Sequence, residues 1–386
     1  MWLVLAAAEV YHLFDPFTYP YPPGRRPLGR PTPYRRLQHE TLTGDEGGDL
    51  TRMLGFRLGT GLFAVPRGDI EVWTDRRGYR NRPGILDAYC PVVVTGDSFM
   101  DQGLTNEDTP AGVLSELLGV PVYDHTYMAR GPAEGIDRFL ASPHFRARPP
   151  RVVVWGFVER SAHGARFSPY APPEPEPPPS LRATVADVWR RLRMPASKRE
   201  SYKAFWTAYR DKWSMVIPHA NAVRAEMTYR LAGELITDSV IVGERPNGEF
   251  ALFLRGGLRI LSRTPKQRRL GKAARCLVSY DAECRRRGIH LVMLLIPDKA
   301  HVYPHWLPPE HSPDIPQPDA LTALERRLTA RGVHVVNVLP AFRAHAGPDQ
   351  PLLYYPDDTH WNEHGIRVAM EAVAQSLRAR DDLRLE

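Results

Sequence analysis

Two short stretches, far apart in the chain, carry residues suited to nucleophilic catalysis. Thr95-Gly96-Asp97-Ser98 follows three consecutive valines, and Tyr354 to Gly365 reads YYPDDTHWNEHG, which sets two carboxylates just ahead of a histidine. A serine hydroxyl is a weak nucleophile at its own pKa and needs a base within hydrogen-bond reach, with an acid to fix the base's tautomer. Ser98 and His360 suit the first two roles, and Asp357 and Asp358 are both available for the third. Gly-Asp-Ser is also ordinary turn composition, so the pairing of the stretches carries the signal rather than either one alone. The serine lacks the second glycine of the G-x-S-x-G nucleophile elbow, so that motif is not matched. His360-Trp361-Asn362-Glu363-His364 also fits the H-x-x-E-H pattern of inverted zinc peptidases. That reading needs a downstream carboxylate ligand, for which Glu371 and the residues from Asp381 onward remain, and a long helix where the pattern predicts a loop-to-helix junction.

The elements around these stretches alternate. The valine run at 92–94 reads as a strand buried on both faces, with the Gly-Asp-Ser turn at its C-terminal end, where open α/β sheets place their ligand sites. Thr109-Pro110 supplies an N-cap and an N1 proline, and Gly119 closes the helix they start. Strands are expected at 120–124, 151–158, 290–296 and 333–338, with helices at 132–141, after Thr264-Pro265 and from about Asn362. This is the βαβ alternation of a five-stranded parallel sheet wound as in flavodoxins, with Ser98 after its first strand and His360 in the loop after its fifth. The domain reading is an apolar segment and Pro/Arg-rich arm at 1–49, a β-rich lead-in at 50–90, and the α/β domain at 91–168 and 264–386. A Pro-rich linker and largely helical insertion interrupts it at 169–263. Within the insertion, helices are expected at 185–194, 201–217 and 220–236, with one strand at 250–254. Its Trp189, Trp206 and Trp213 fit either a sugar-stacking or partner surface or the insertion's own core.

The chain of 386 residues, 43% hydrophobic and 25% charged, can bury a sizeable core as an ordinary globule. Its net charge of +7 favours acidic partners such as an anionic polysaccharide or a membrane surface, unless the arginines are simply spread over solvated faces. No helix-turn-helix, zinc-finger or RNA-binding aromatic pattern points to nucleic acid. Cys276 and Cys284 fall in one expected helix, too far along its axis to bridge, so no disulfide framework is read. The opening MWLVLAAA is too short to span a bilayer; it reads as the remnant of a signal-anchor, a short interfacial segment, or a buried structural segment.

Gly96-Asp97-Ser98-Phe99 and Asp358-Thr359-His360-Trp361-Asn362, with Val154 to Arg160 (VWGFVER) and Ile296-Pro297-Asp298-Lys299 between them, resemble the SGNH-hydrolase superfamily, within it the branch of the alginate O-acetylation proteins AlgJ and AlgX. The resemblance covers about residues 70–380, apart from the insertion. It implies a three-layer α/β/α fold, Ser98 as nucleophile, His360 as base and Asp358 as orienting acid; the wider superfamily's spacing would select Asp357 instead. It also implies an oxyanion hole of the Ser98 N–H, Gly131 and a third donor. Arg160 stands near the place of the family's asparagine, although an ion pair with a neighbouring acid is the simpler reading of that arginine. Lys299 and Trp361 are candidate substrate contacts. The implied activity is transfer of acetyl through an acyl-Ser98 intermediate to a polysaccharide outside the cytoplasm, the acetyl donor being delivered by a membrane acyltransferase and the N-terminus giving membrane association. No metal or nucleotide cofactor is implied. A carbohydrate esterase on the same residues, and a polysaccharide-binding or assembly protein with a vestigial triad, are the alternatives.

Overall fold

The computed structural model describes residues 36–42, 48–56, 62–127, 132–162, 167–172, 216–261, 267–380, 382, 383 and 385. The apolar N-terminal segment, most of the Pro/Arg-rich arm, Gly131 and the three insertion tryptophans lie outside them. Two compact units are present: Tyr21–Tyr170 with Thr237–Glu386, and Met1–Pro20 with Ala171–Ile236.

In the larger unit the lead-in is an antiparallel ribbon of β1 (His39–Leu42) and β2 (Ile70–Trp73), with the short helix α1 (Asp49–Met53) between them in the chain. The β-rich lead-in expected at 50–90 thus supplies β2, and its partner β1 lies ahead of that span. The central sheet follows. β3 (Val92–Gly96) leads through α2 (Pro110–Leu118) to β4 (Val122–Asp124), and α3 (Glu134–Ala141) leads on to β5 (Val152–Val158). Every residue of β3 and β5 is buried, as continuous apolar runs demand of strands covered on both faces. Thr109 caps α2 by accepting from the Gly112 N–H, and Gly119 ends it in the left-handed region (φ 69°), as the sequence signals predict.

The smaller unit contributes one described helix, α4 (Val216–Ala232). Of the helices expected at 201–217 and 220–236, residues 201–215 lie outside the described residues, and the helix described over Val216–Ala232 includes Pro218, where a break was expected. In the larger unit Phe250–Leu254 (β7) pairs with Val240–Glu244 (β6) in an antiparallel hairpin, followed by α5 (Arg255–Leu261). This hairpin therefore belongs with the sheet-bearing unit rather than with the insertion.

Helix α6 (Gln267–Arg286) leads to β8 (His290–Ile296), α7 (Ala320–Thr329) to β9 (His334–Asn337), and α8 (Glu363–Arg378) closes the fold. The strand order is β4-β3-β5-β8-β9, all parallel, which is the doubly wound 2-1-3-4-5 arrangement. Helix α2 packs on α8 and α6 on α7, giving the three-layer α/β/α architecture expected. Gly96 and Gly156 face each other at the C-terminal ends of β3 and β5. A Cβ on Gly96 would stand 2.1 Å from the Gly156 carbonyl oxygen, and one on Gly156 would stand 2.2 Å from Met100 Sδ. The pair lets Met100 tuck beneath the serine turn, which fixes where Ser98 emerges.

Candidate active site

Ser98 opens a single 3₁₀ turn, Ser98–Asp101, directly after β3. Asp97 caps that turn: its carboxylate accepts from the Phe99 N–H at 3.1 Å and from the Val158 N–H of the neighbouring strand at 2.9 Å. The turn is thus stapled to the end of β5. Burial raises the Asp97 pKa against these donors. Gln102 adds a side-chain bond to the Ser98 carbonyl at 2.9 Å.

His360 sits just ahead of α8, whose N-cap Asn362 accepts from the Gly365 N–H. The structure brings the two stretches together: His360 Nε2 lies 2.8 Å from Ser98 Oγ, and Nδ1 lies 2.7 Å from Asp358 Oδ1. With the proton on Nδ1, that nitrogen donates to Asp358 and Nε2 accepts from the serine hydroxyl, the tautomer a general base needs. Burial works to lower the His360 pKa, but the charge and hydrogen bond of Asp358, with Asp49 behind it, override this and raise it. Burial likewise works to raise the Asp358 carboxyl, yet His360 and Arg67 hold it well below the usual carboxylate range.

Asp357 does not reach the imidazole. It accepts from the Gly48 N–H at 2.7 Å, the Val65 N–H at 3.1 Å and the Arg67 guanidinium at 2.8 Å. Arg67 also donates to Asp358 Oδ2 at 3.0 Å and lies over the Tyr355 ring at 4.0 Å. The Asp49 N–H donates to Asp358 Oδ2 at 3.1 Å, while the Asp49 carboxylate accepts from the Thr359 N–H at 2.7 Å and its hydroxyl at 2.6 Å. Sequence reasoning missed Asp49 and Arg67. The one available signal was chemical: two adjacent carboxylates in a loop that must be buried call for a cation.

Lys299 and Trp361 are not exposed to a substrate, and both expectations are corrected. The Lys299 ammonium is buried and donates to the carbonyls of Tyr355 (3.0 Å), Pro356 (3.1 Å) and Asp358 (2.7 Å), which this loop turns inward. Burial lowers its pKa to about 8 despite the nearby Asp358 and Asp49. Trp361 is fully buried; its indole N–H donates to the Phe99 carbonyl at 2.7 Å and its ring meets Phe99 edge-on. Each residue braces the histidine loop from beneath, and Trp361 ties it to the serine turn.

Of the expected oxyanion donors, the Ser98 N–H makes no hydrogen bond among the described residues, and Gly131 lies outside them. Arg160 is paired with Asp298, and its guanidinium lies 5.3 Å from the Phe99 ring centre, beside the serine turn. The ion-pair reading of Arg160 and its place near the nucleophile therefore hold together. Behind it, Glu159 accepts from His301 Nδ1 at 2.8 Å, both fully buried.

Two groups among the described residues offer ligand atoms close enough to share a cation: Asp49, Asp358 and His360, and the buried Glu159, His301 and Asp319. The first is the hydrogen-bonded relay itself. The H-x-x-E-H reading does not match the geometry, since His360 precedes α8 and is committed to Ser98 and Asp358, while Glu363 accepts from the Tyr355 hydroxyl.

The family described as ALGX, SGNH hydrolase-like domain, acetyltransferase AlgX, matches residues 31–159 and 252–385. A curated relative, the "Probable alginate O-acetylase AlgJ" of Azotobacter vinelandii, is 30% identical over 126 residues, which is 31% of this chain and 32% of that protein. The match thus spans about a third of the relative's length. Among solved structures, the salicylyl-acyltransferase SsfX3 from a tetracycline biosynthetic pathway aligns over 84% of this chain and 67% of that one, at 12% identity and a TM-score of 0.27. The family match takes in both the serine turn and the histidine loop and covers more than half of the chain, which belongs to the family of AlgX-type SGNH hydrolase-like domains.

Proposed function

We propose that the protein is a serine-dependent O-acetyltransferase that acetylates a polysaccharide through an acyl-Ser98 intermediate. The observation that carries this reading is the continuous relay from Ser98 Oγ through His360 to Asp358, in a chain of the AlgX family. In the first half-reaction Ser98 Oγ attacks the carbonyl carbon of an acetyl ester as His360 Nε2 takes the hydroxyl proton. Asp358 stabilises the resulting imidazolium. The tetrahedral oxyanion accepts from the Ser98 N–H, and the Arg160 guanidinium beside the Phe99 ring supplies the second donor in this reading. Collapse breaks the bond to the donor oxygen, which leaves with the proton from His360. In the second half-reaction a sugar hydroxyl gives its proton to His360 and attacks the acyl carbon, and Ser98 regains a proton as it leaves.

The relative's name supports an alginate-like, uronate-bearing acceptor, and the chain's net charge of +7 suits an anionic polymer. In this reading the reaction lies outside the cytoplasm and a membrane acyltransferase supplies the acetyl group. Water in place of the sugar would make the same relay an esterase.

Intact-protein mass spectrometry after incubation with an activated acetyl ester tests the intermediate: a one-acetyl adduct is expected on the wild type and none on Ser98→Ala. No adduct on the wild type across several donors overturns the reading. Transfer to an acetyl-free uronate polysaccharide faster than hydrolysis is expected of the transferase, and hydrolysis alone assigns an esterase.

A further inference from the structure

We propose that the described residues 48–56 and 62–67 form a charge-balanced strap that positions the Asp358–His360 pair, with Asp49 and Arg67 as positioning residues of opposite sign. The proposal rests on the role given to that pair above, but its geometry is independent of any substrate. The two oxygens of Asp358 are divided. Oδ1 takes the His360 ring N–H and backbone N–H, whereas Oδ2 takes the Asp49 N–H and the Arg67 guanidinium. The side-chain oxygens of Asp357 are held by the same segment, through Gly48, Val65 and Arg67. In return, Asp49 fixes both donors of Thr359, the residue between acid and base. There is no slack in this docking: a Cβ on Gly48 would stand 2.0 Å from the Asp357 carbonyl oxygen.

The strap also contributes charge of both signs. Asp49 Oδ2 lies 3.9 Å from His360 Nδ1, while Arg67 stands on the far side of Asp358. The charged and titratable groups facing the imidazole are Asp358 from its own loop, Asp49 from α1, Ser98 and Asp97 from the serine turn, and Arg160 from the end of β5. Behind Asp358 stand Arg67, Asp357 and Lys299. Neutralising Asp49 leaves the imidazolium with one fewer anion beside it. Neutralising Arg67 leaves two carboxylates, Asp357 and Asp358, less compensated, which favours the imidazolium.

The test is titration of the His360 ring, followed by NMR in the full chain, for the wild type, Asp49→Asn, Arg67→Gln and Arg67→Lys, with thermal melts alongside. Asp49→Asn retains an acceptor for the Thr359 N–H and is expected to move the midpoint down. Arg67→Gln is expected to move it up, each by on the order of 0.5 to 1 pH unit for a charge in a partly solvated site. Arg67→Lys restores most of the wild-type midpoint. Opposed shifts support the strap's role. Shifts in the same direction, or unmoved midpoints in variants that melt as folded proteins, overturn it. Should Arg67→Gln not fold, Asp357→Asn replaces it: removing that anion frees Arg67 for Asp358, so the midpoint falls, and an unmoved or raised midpoint overturns the proposal. The titration reads out without turnover, so a wild type that never acetylates sinks the proposed function and leaves this inference to stand or fall on its own.

Discussion

Replacing Lys299 by methionine tests whether the histidine loop closes over a buried cation. The ammonium bonds three carbonyls, but their dependence on it differs. Pro356 also accepts from the Leu252 N–H of β7 at 2.7 Å, and Tyr355 from the Asp358 N–H at 3.3 Å, whereas the Asp358 carbonyl has Lys299 alone among the described residues. Methionine of similar length therefore orphans one buried carbonyl and weakens two, for a net loss of about 2 kcal/mol at neutral pH. The sharper quantity is the pH dependence. Burial, outweighing the neighbouring Asp358, Asp49 and Asp357 carboxylates, lowers the folded pKa of Lys299 from the ordinary 10.5 to about 8, so between those values the unfolded chain holds a proton that the folded chain has released. The linked stabilisation is complete above the unfolded value and is lost as pH falls through about 8. Relative to Lys299→Met, the wild type should gain about 1.4 kcal/mol per pH unit within that window, about 3 kcal/mol in all. Urea unfolding of both proteins at half-unit steps from neutral pH upward measures the difference directly. A flat difference across the window would mean a solvated lysine and an open loop, and the bracing role argued from these three bonds would be refuted.

The remaining expectations concern the relay. Because His360 must be neutral to take the serine proton and its pKa is raised, acylation of Ser98 should rise along an acid limb displaced above the ordinary histidine value; stopped-flow acylation across pH checks this, and a limb at or below that value contradicts it. By the same linkage the His360–Asp358 pair contributes stability fully below the ordinary histidine pKa, and loses it as pH rises through the folded one. Asp358→Asn should slow acylation by ~10³ to 10⁴-fold, while Asp357→Asn should leave the rate within about tenfold and cost about 2 to 4 kcal/mol of stability, since the amide keeps one acceptor oxygen but turns its NH2 toward a donor and removes the charge that Arg67 pairs with. Comparable rate losses in both would remove the distinction between the two aspartates. Trp361→Phe leaves the buried Phe99 carbonyl with only the long bond from the Gln102 N–H at 3.5 Å and should cost about 1 to 2 kcal/mol in urea unfolding, with slower acylation because serine turn and histidine loop are no longer tied; unchanged stability would show the indole bond to be dispensable.

What could be read in the chain beforehand was local. Valine runs and the Thr109-Pro110 to Gly119 signals describe strands and a helix within a few residues of themselves, and the five strands and their winding follow from them. The approach of Ser98 to His360 follows only in part, because Ser98 emerges at the end of β3 inside the sheet, whereas β9 is the edge strand and ends at Asn337, so the connection that follows it must carry His360 back to the serine turn. Lys299 and Trp361 were misread for a definite reason. A lysine after a strand end looks the same in sequence whether it faces the cleft or lies beneath it, and the three carbonyls that claim it exist only once Tyr355–Asp358 has turned. Arg67 and Asp49 left no pattern, since their partners lie about 290 and 310 residues away. The Val240–Glu244 strand was hidden because its alternation is short and its partner follows a Pro-Asn-Gly turn that reads as plain loop.

The bond between Gly48 and Asp357 closes a span of 309 residues, and that between Ser98 and His360 one of 262. Loop closures of this length are costly to nucleate and belong to the slow end of folding, whereas βαβ units can form from nearer neighbours. Nucleophile and base therefore meet late, after the sheet has formed around each of them separately. During synthesis and refolding the serine turn can already be shaped while the serine is still chemically inert, because neither its base nor the strap that steadies the acid has arrived. Far-UV signal should accordingly recover before the ability to take up an acetyl group.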